Sequence, residues 1–131
     1  MTDEELVGLA QKARKAAYAP YSRFKVGAAL LGTSGRVFTG CNVENAAYPL
    51  CTCAERTAVV KAVSEGEDTF VVIAVVTATG AMPCGSCRQI LREFGGIKGD
   101  LRVIVADIAG HWQTFTIAEL LPMGFGPHQL E

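Results

Sequence analysis

The chain has 131 residues, is 50% hydrophobic, and carries 12 Lys+Arg against 13 Asp+Glu for a formal net charge of −1. That length fits a single domain, expected to span residues 1–131, with enough apolar content for a substantial core. The balanced charge, without a basic cluster, disfavours nucleic acid as a partner, and no apolar run is long enough to span a membrane.

The start, Met1-Thr2-Asp3-Glu4-Glu5, is acidic and polar, unlike a signal peptide. A reducing, cytoplasmic setting is therefore expected. There the five cysteines read as metal ligands or buried thiols rather than as a disulfide framework. Thr2 and Glu5 form a predicted capping box. Leu6, Leu9, Ala10, Ala13 and Ala17 then recur at helical spacing, and Pro20 ends the pattern. Phe24 to Leu31 and Val37 to Cys41 read as strands, with Thr33-Ser34-Gly35 as the turn of a hairpin. An irregular stretch runs from Asn42 to Cys51.

Thr52 is the predicted start of a second helix, which passes through Val59, Val60 and Val63 and stops near Gly66. Phe70 to Val76 is a continuous valine-rich run, the mark of a strand buried on both faces. Pro83 and Cys84 open a third helix through Ile90, Leu91 and Phe94, ended by Gly95-Gly96. Leu101 to Ala106 is a second buried strand, and this strand-helix-strand unit should be parallel and right-handed. The turn Asp107 to Gly110 is too short for a crossover, so a last strand near Gln113 to Thr116 should pair antiparallel. The tail from Leu121 to Pro127 reads as irregular.

Two short runs carry the chemistry. Cys53-Ala54-Glu55 gives C-x-E, and Pro83-Cys84-Gly85-Ser86-Cys87 gives P-C-x-x-C. In this order they are the signature of a zinc site that activates water for hydrolytic deamination of a nucleobase. Three thiolates suit a borderline-soft ion. Glu55 stands too close to Cys53 to share the metal comfortably, which frees it to move protons. Cys84 and Cys87, three apart at a helix start, can meet at its tip, and Cys53 opens the other helix. Zinc with three thiolates carries a net charge of about −1, so something must offset it if water is to ionise near neutral pH. The two helix N-termini do part of this. Arg56, donating to a ligand sulfur, is the first candidate for the rest, and Arg88 the second.

Plainer readings compete. Glu55 lies three residues past Thr52 and could close a capping box. Cys51 and Cys53 with Cys84 and Cys87 could build a closed four-cysteine zinc module without enzymatic activity. A C-x-x-C redox pair would leave the preceding proline and the distant third cysteine unexplained. Cys41, ending an apolar strand, reads as a buried thiol. His111 and His128 read as surface residues. Phe24 could be core filler, and Asn42 a turn residue.

The chain resembles the cytidine deaminases in their small homotetrameric form. The resemblance covers nearly its whole length. It rests on Phe24-Lys25-Val26-Gly27-Ala28-Ala29, Asn42-Val43-Glu44-Asn45-Ala46, Cys53-Ala54-Glu55-Arg56, Pro83-Cys84-Gly85-Ser86-Cys87-Arg88-Gln89, and Glu119-Leu120-Leu121-Pro122 before Phe125. The resemblance implies an α/β fold, a three-layer α/β/α sandwich with a five-stranded mixed sheet. It implies one zinc per chain on Cys53, Cys84 and Cys87, with Glu55 as the proton shuttle. Glu55 would carry a proton from the attacking water to N3 of cytosine and later to the departing amine. Asn42 and Glu44 would hold the ribose 3′-hydroxyl, Phe24 would pack against the base, and the Ala54 amide would bind the base carbonyl. Ala46, Tyr48 and Phe125 would reach a neighbouring subunit's site. The implied partner is a small pyrimidine nucleoside, cytidine or deoxycytidine. A blasticidin-type deaminase is the related alternative; it should lack the full Asn42/Glu44 pattern.

Overall fold

In the computed structural model, which describes residues 1–130, one five-stranded sheet organises the chain. Its strands are β1 (Gly27–Gly32), β2 (Val37–Cys41), β3 (Phe70–Thr77), β4 (Arg102–Asp107) and β5 (Trp112–Thr116), in spatial order β2-β1-β3-β4-β5. β3 and β4 are parallel and every other neighbouring pair is antiparallel, so the sheet is mixed. The helices are α1 (Asp3–Arg14), α2 (Ala54–Ser64), α3 (Gly85–Glu93) and the short α4 (Ile117–Leu120). No helix among the described residues is long and apolar enough to cross a membrane.

Strand periodicity divides the core in two. Ile73 and Val75 of β3 join Leu30, Val103 and Val105 on the face covered by α2 and α3, through Ala54, Ala58, Val59, Ala62 and Leu91. Val72, Ala74 and Val76, one residue out of phase, join Ala29, Ile104 and Ala106 under α1, through Leu6, Val7 and Ala10. Both faces of β3 and β4 are covered, which is why their sequences are apolar without alternation. The result is the three-layer α/β/α sandwich. Gly40 sets how closely α2 approaches β2. A Cβ there would lie 2.6 Å from the Ala54 carbonyl oxygen and 2.7 Å from the Ala58 nitrogen. Only glycine lets the start of α2 lie so near the sheet.

Several sequence expectations change in detail. The Thr2 capping box is present, with Glu5 N–H bonded to Thr2 Oγ1 at 3.1 Å, but α1 ends at Arg14 rather than near Pro20. Phe24 to Val26 lie outside β1 because the Asn42 side chain takes the place of a strand partner: Asn42 Oδ1 accepts from Val26 N–H and Asn42 Nδ2 donates to the Phe24 carbonyl, both at 2.8 Å. Thr52 does not start α2. Its backbone pairs with Val43 in an isolated bridge, and Cys53 is the N-cap residue, without a side-chain capping bond. The capping-box reading of Glu55 is thereby overturned. Cys41 ends the edge strand β2 and is only half-buried. His111 is exposed and bonds Asp107 at 3.2 Å, while His128 is partly buried. Before the tail that begins at Leu121, Thr116 and Glu119 form a second capping box that starts α4, an element not read from the sequence.

Candidate active site

The site lies where the C-terminal end of β3 meets the N-termini of α2 and α3. Such crevices beyond the carboxyl ends of parallel strands are ordinary ligand sites in α/β sheets. Cys53 is the N-cap of α2 and Cys84 the N-cap of α3. Neither makes a side-chain capping bond, so both thiols remain available. Cys87 lies in the first turn of α3 and is completely buried. The sulfur atoms of Cys53, Cys84 and Cys87 all fall within 4.8 Å of one another, and none of the three is in a disulfide.

This donor set fits a zinc ion. Three soft ligands converge from two helix tips and leave room for a fourth, non-protein ligand. Cys53 is lowered to about 6, first by its hydrogen bond with Cys87 and also by the Arg56 charge. Cys87 moves the other way, raised by the same bond and by burial. One thiolate is thus favoured before any ion binds. Arg56 donates through Nη2 to Ser86 Oγ at 2.7 Å, bridging α2 and α3, and its buried Nε has no partner. An unpaired cationic donor beside a thiolate cluster suits a centre of net negative charge. Arg88 is placed differently. It donates through Nε to the Pro83 carbonyl and through Nη1 to the Leu120 carbonyl, both at 2.8 Å. It therefore clamps the turn that presents Cys84 to the end of α4.

Cys51 lies outside the sulfur cluster. Its thiol donates to the Asn45 carbonyl at 3.6 Å and accepts from the Asn45 N–H at 3.3 Å, closing its own loop. This geometry disfavours the four-cysteine module.

A cleft of about 300 Å³ opens onto Cys53 and Cys84, with Cys87 buried behind them, at the lower end of the range usual for small-ligand pockets, about 300–1,000 Å³. Phe24, Asn42, Glu44, Cys53, Ala54, Glu55 and Cys84 all line it. The remaining walls are Ser22, Val26, Val75, Thr77 and the segment Ala81-Met82-Pro83. Of these, only Val26 and Pro83 fall within motifs legible in the sequence; Ser22, Val75, Thr77, Ala81 and Met82 carry no chemical pattern that marks them as site walls. Glu55, in the first turn of α2, is only 4% exposed, and burial pushes its carboxyl above the usual range. Ala54 is the first residue of α2, so its N–H is one of the amides a helix start leaves unpaired.

The segment carrying Asn42 and Glu44 is extended between two others. Tyr18 N–H bonds the Asn42 carbonyl at 3.0 Å, Glu44 N–H bonds the Tyr18 carbonyl at 2.8 Å, and Val43 exchanges two bonds of 2.9 Å with Thr52. In an extended chain residues two apart share a side, which puts Asn42 and Glu44 together at the cleft. The structure does not bring Ala46, Tyr48 or Phe125 into it. Tyr48 is exposed in a neighbouring depression, its ring 5.8 Å from that of Tyr21. Phe125 is also exposed, held by Gln89 Nε2 bonding its carbonyl at 2.9 Å.

The fold and the cysteine cluster together define the zinc-binding deaminase class. Residues 1–104 match the model of the cytidine and deoxycytidylate deaminase zinc-binding region. The chain is 46% identical to a cytidine deaminase of Sporosarcina psychrophila, over 99% of this chain and 96% of that one. It is 48% identical to a cytidine deaminase of Halalkalibacterium halodurans, over 95% of each. The crystal structure of a cytidine deaminase from Burkholderia pseudomallei superimposes with a TM-score of 0.91 at 48% identity, covering 95% of this chain and 100% of that one. The chain belongs to the cytidine and deoxycytidylate deaminase family.

Proposed function

We propose that the chain hydrolyses the 4-amino group of cytidine and deoxycytidine, yielding uridine or deoxyuridine and ammonia, as a zinc-dependent cytoplasmic enzyme of pyrimidine salvage. The observation that carries this reading is the buried Glu55 carboxyl beside three convergent sulfurs at one cleft. Cys53, Cys84 and Cys87 would hold one zinc per chain. Bound there, zinc supplies a water nucleophile at neutral pH by lowering that water's pKa.

The protein's own groups do the rest. Glu55 accepts the proton of the attacking water and delivers it to N3 of the base. Attack at C4 follows; Glu55 then takes the proton of the new C4 hydroxyl and passes it to the departing amine, so that the C4–N bond breaks as the C4 carbonyl forms. A carboxyl that both takes and gives protons works best with its pKa raised toward the operating pH, the direction its burial imposes. The Ala54 N–H holds the base carbonyl, and Phe24 packs on the ring. Glu44 accepts from the 3′-hydroxyl. Asn42, whose amide already bonds the backbone at both ends, keeps one N–H and one lone pair for the sugar.

The substrate is accordingly a free nucleoside. A 3′-phosphodiester has no proton for Glu44 and brings a like charge against it. Free cytosine lacks the remote contact that helps position the reacting carbon. In one assay, cytidine and deoxycytidine should be consumed readily, and cytosine and a short cytosine-containing oligonucleotide poorly. An oligonucleotide deaminated as efficiently as cytidine would overturn the ribose assignment.

Assembly belongs to the same reading. Tyr48, Leu50, Met123 and Phe125 are each more than half exposed, at 67%, 66%, 99% and 54%, an apolar exposure that suits burial by further copies. In a homotetramer Ala46, Tyr48 and Phe125 would complete adjacent sites. Light scattering under assay conditions should find a tetramer, and Phe125→Ala should raise the Michaelis constant. A fully active monomer contradicts this part of the reading.

A further inference from the structure

Ser22 has no part in the chemistry above, yet it touches two of the cleft's substrate-facing residues at once. Its Oγ donates to Glu44 Oε2 and accepts from the Phe24 N–H at 3.0 Å. The Ser22 N–H at 3.1 Å and the Tyr21 N–H at 3.0 Å both donate to Glu44 Oε1. Arg23, between Ser22 and Phe24, has a φ of 59°. This left-handed conformation, uncommon for a residue with a Cβ, turns the chain so that Phe24 N–H can return to the serine hydroxyl. Phe24 is fixed at its other backbone group as well, through the carbonyl bond from Asn42 Nδ2.

The count of acceptor sites matters. An ionised carboxylate offers about four lone-pair directions. Two on Oε1 and one on Oε2 are taken by the Tyr21-Ser22 turn, which leaves one site, on Oε2. The same three donors favour the ionised form, and Glu44 is held below its ordinary range, chiefly by the Ser22 hydroxyl. A carboxylate with one open acceptor site and no proton of its own suits one hydroxyl donor.

We infer that Ser22 is a positioning residue for sugar recognition: its hydroxyl orients the Glu44 carboxylate so that a single Oε2 acceptor site is left for the nucleoside 3′-hydroxyl, and ties that carboxylate to the backbone of Phe24. The inference rests on the assignment of Glu44 to the sugar. It makes the base wall and the sugar clamp one hydrogen-bonded unit, so that the spacing between ring and 3′-hydroxyl is set by the protein before substrate arrives.

The test compares cytidine with 3′-deoxycytidine, which lacks only that hydroxyl, on zinc-loaded wild type, Ser22→Ala, Ser22→Thr and Glu44→Gln. Ser22→Ala should lower kcat/KM for cytidine by about tenfold or more beyond its effect on 3′-deoxycytidine, the scale of one hydrogen bond to a charged group. Any loss common to both substrates reads the Phe24 contact. Ser22→Thr, which keeps the hydroxyl, should restore most of the 3′-hydroxyl preference. Zinc content and thermal midpoint, measured on the same preparations, identify a folding defect, and in that case the Thr variant's ratio between the two substrates decides. If Glu44→Gln loses the 3′-hydroxyl preference and Ser22→Ala keeps it, the Ser22 inference is overturned while the sugar assignment stands. If Glu44→Gln affects both substrates equally, the sugar assignment fails and the inference falls with it.

Discussion

Replacing Glu55 by Gln is expected to leave a folded, zinc-loaded protein whose turnover of cytidine is lowered by more than about 10⁴-fold. A single general acid-base group contributes about 10²–10⁴-fold, and Glu55 is assigned to several proton transfers in one cycle. The amide preserves the shape of a side chain that is 4% exposed in the first turn of α2, so the helix and its packing should be kept. Glu55 makes no capping bond to Thr52, because α2 begins one residue later with Cys53 as its cap; helix stability therefore gives the glutamate no separate role. Metal analysis and thermal midpoint establish that the variant is intact, and single-turnover kinetics read the chemical step. Activity within about tenfold of wild type would remove the proton-shuttle role.

Loss of any one ligand thiol should abolish activity together with zinc binding, and Cys84 gives the cleanest case. Cys87 is completely buried, so its replacement also opens the core, whereas Cys84 is exposed at the tip of α3. Ion binding adds to folding stability by mass action, about 4 kcal/mol when free zinc stands a thousandfold above its Kd. For a domain of this length that corresponds to roughly 10 °C or more in thermal midpoint. Cys84→Ala should show this drop in the presence of zinc and none in the presence of a chelator, where wild type has lost the same contribution. Cys51→Ala is the control. Its thiol closes the Asn45 loop and stands outside the cluster, so zinc content should remain at one per chain. A Cys51→Ala protein that loses its metal would sink the ligand assignment.

The sequence carried the site's chemistry better than its walls. Cysteine spacing is a local signal, and it located Cys53, Cys84 and Cys87 because helix starts bring neighbouring side chains to one point. The buried strands were equally legible, since the mainly apolar runs Phe70 to Val76 and Leu101 to Ala106 fall on β3 and β4, within a residue of their ends. Boundaries set by non-local bonds were not. β1 begins at Gly27 rather than Phe24 because an asparagine sixteen residues beyond Val26 holds the preceding backbone, and Thr52 is drawn out of α2 by Val43. α4 was missed although Thr116 and Glu119 repeat the pattern of Thr2 and Glu5; four residues are too few to show a hydrophobic period. Arg56 was ranked above Arg88 as donor to a ligand sulfur, but the fold sends Arg56 to the Ser86 hydroxyl with a buried Nε left over and Arg88 to two carbonyls. Ser22 gave no signal at all, because its importance lies in bonds to Glu44 and Phe24 that only the folded turn creates.

The most direct test of the central claim is to incubate the zinc-loaded protein with cytidine while following the nucleoside's ultraviolet absorbance and the ammonia released. The expected result is a fall in cytidine absorbance with one ammonia per uridine formed, stopped by stripping the metal and restored by returning zinc. Unchanged cytidine in the presence of folded, zinc-loaded protein would contradict the account.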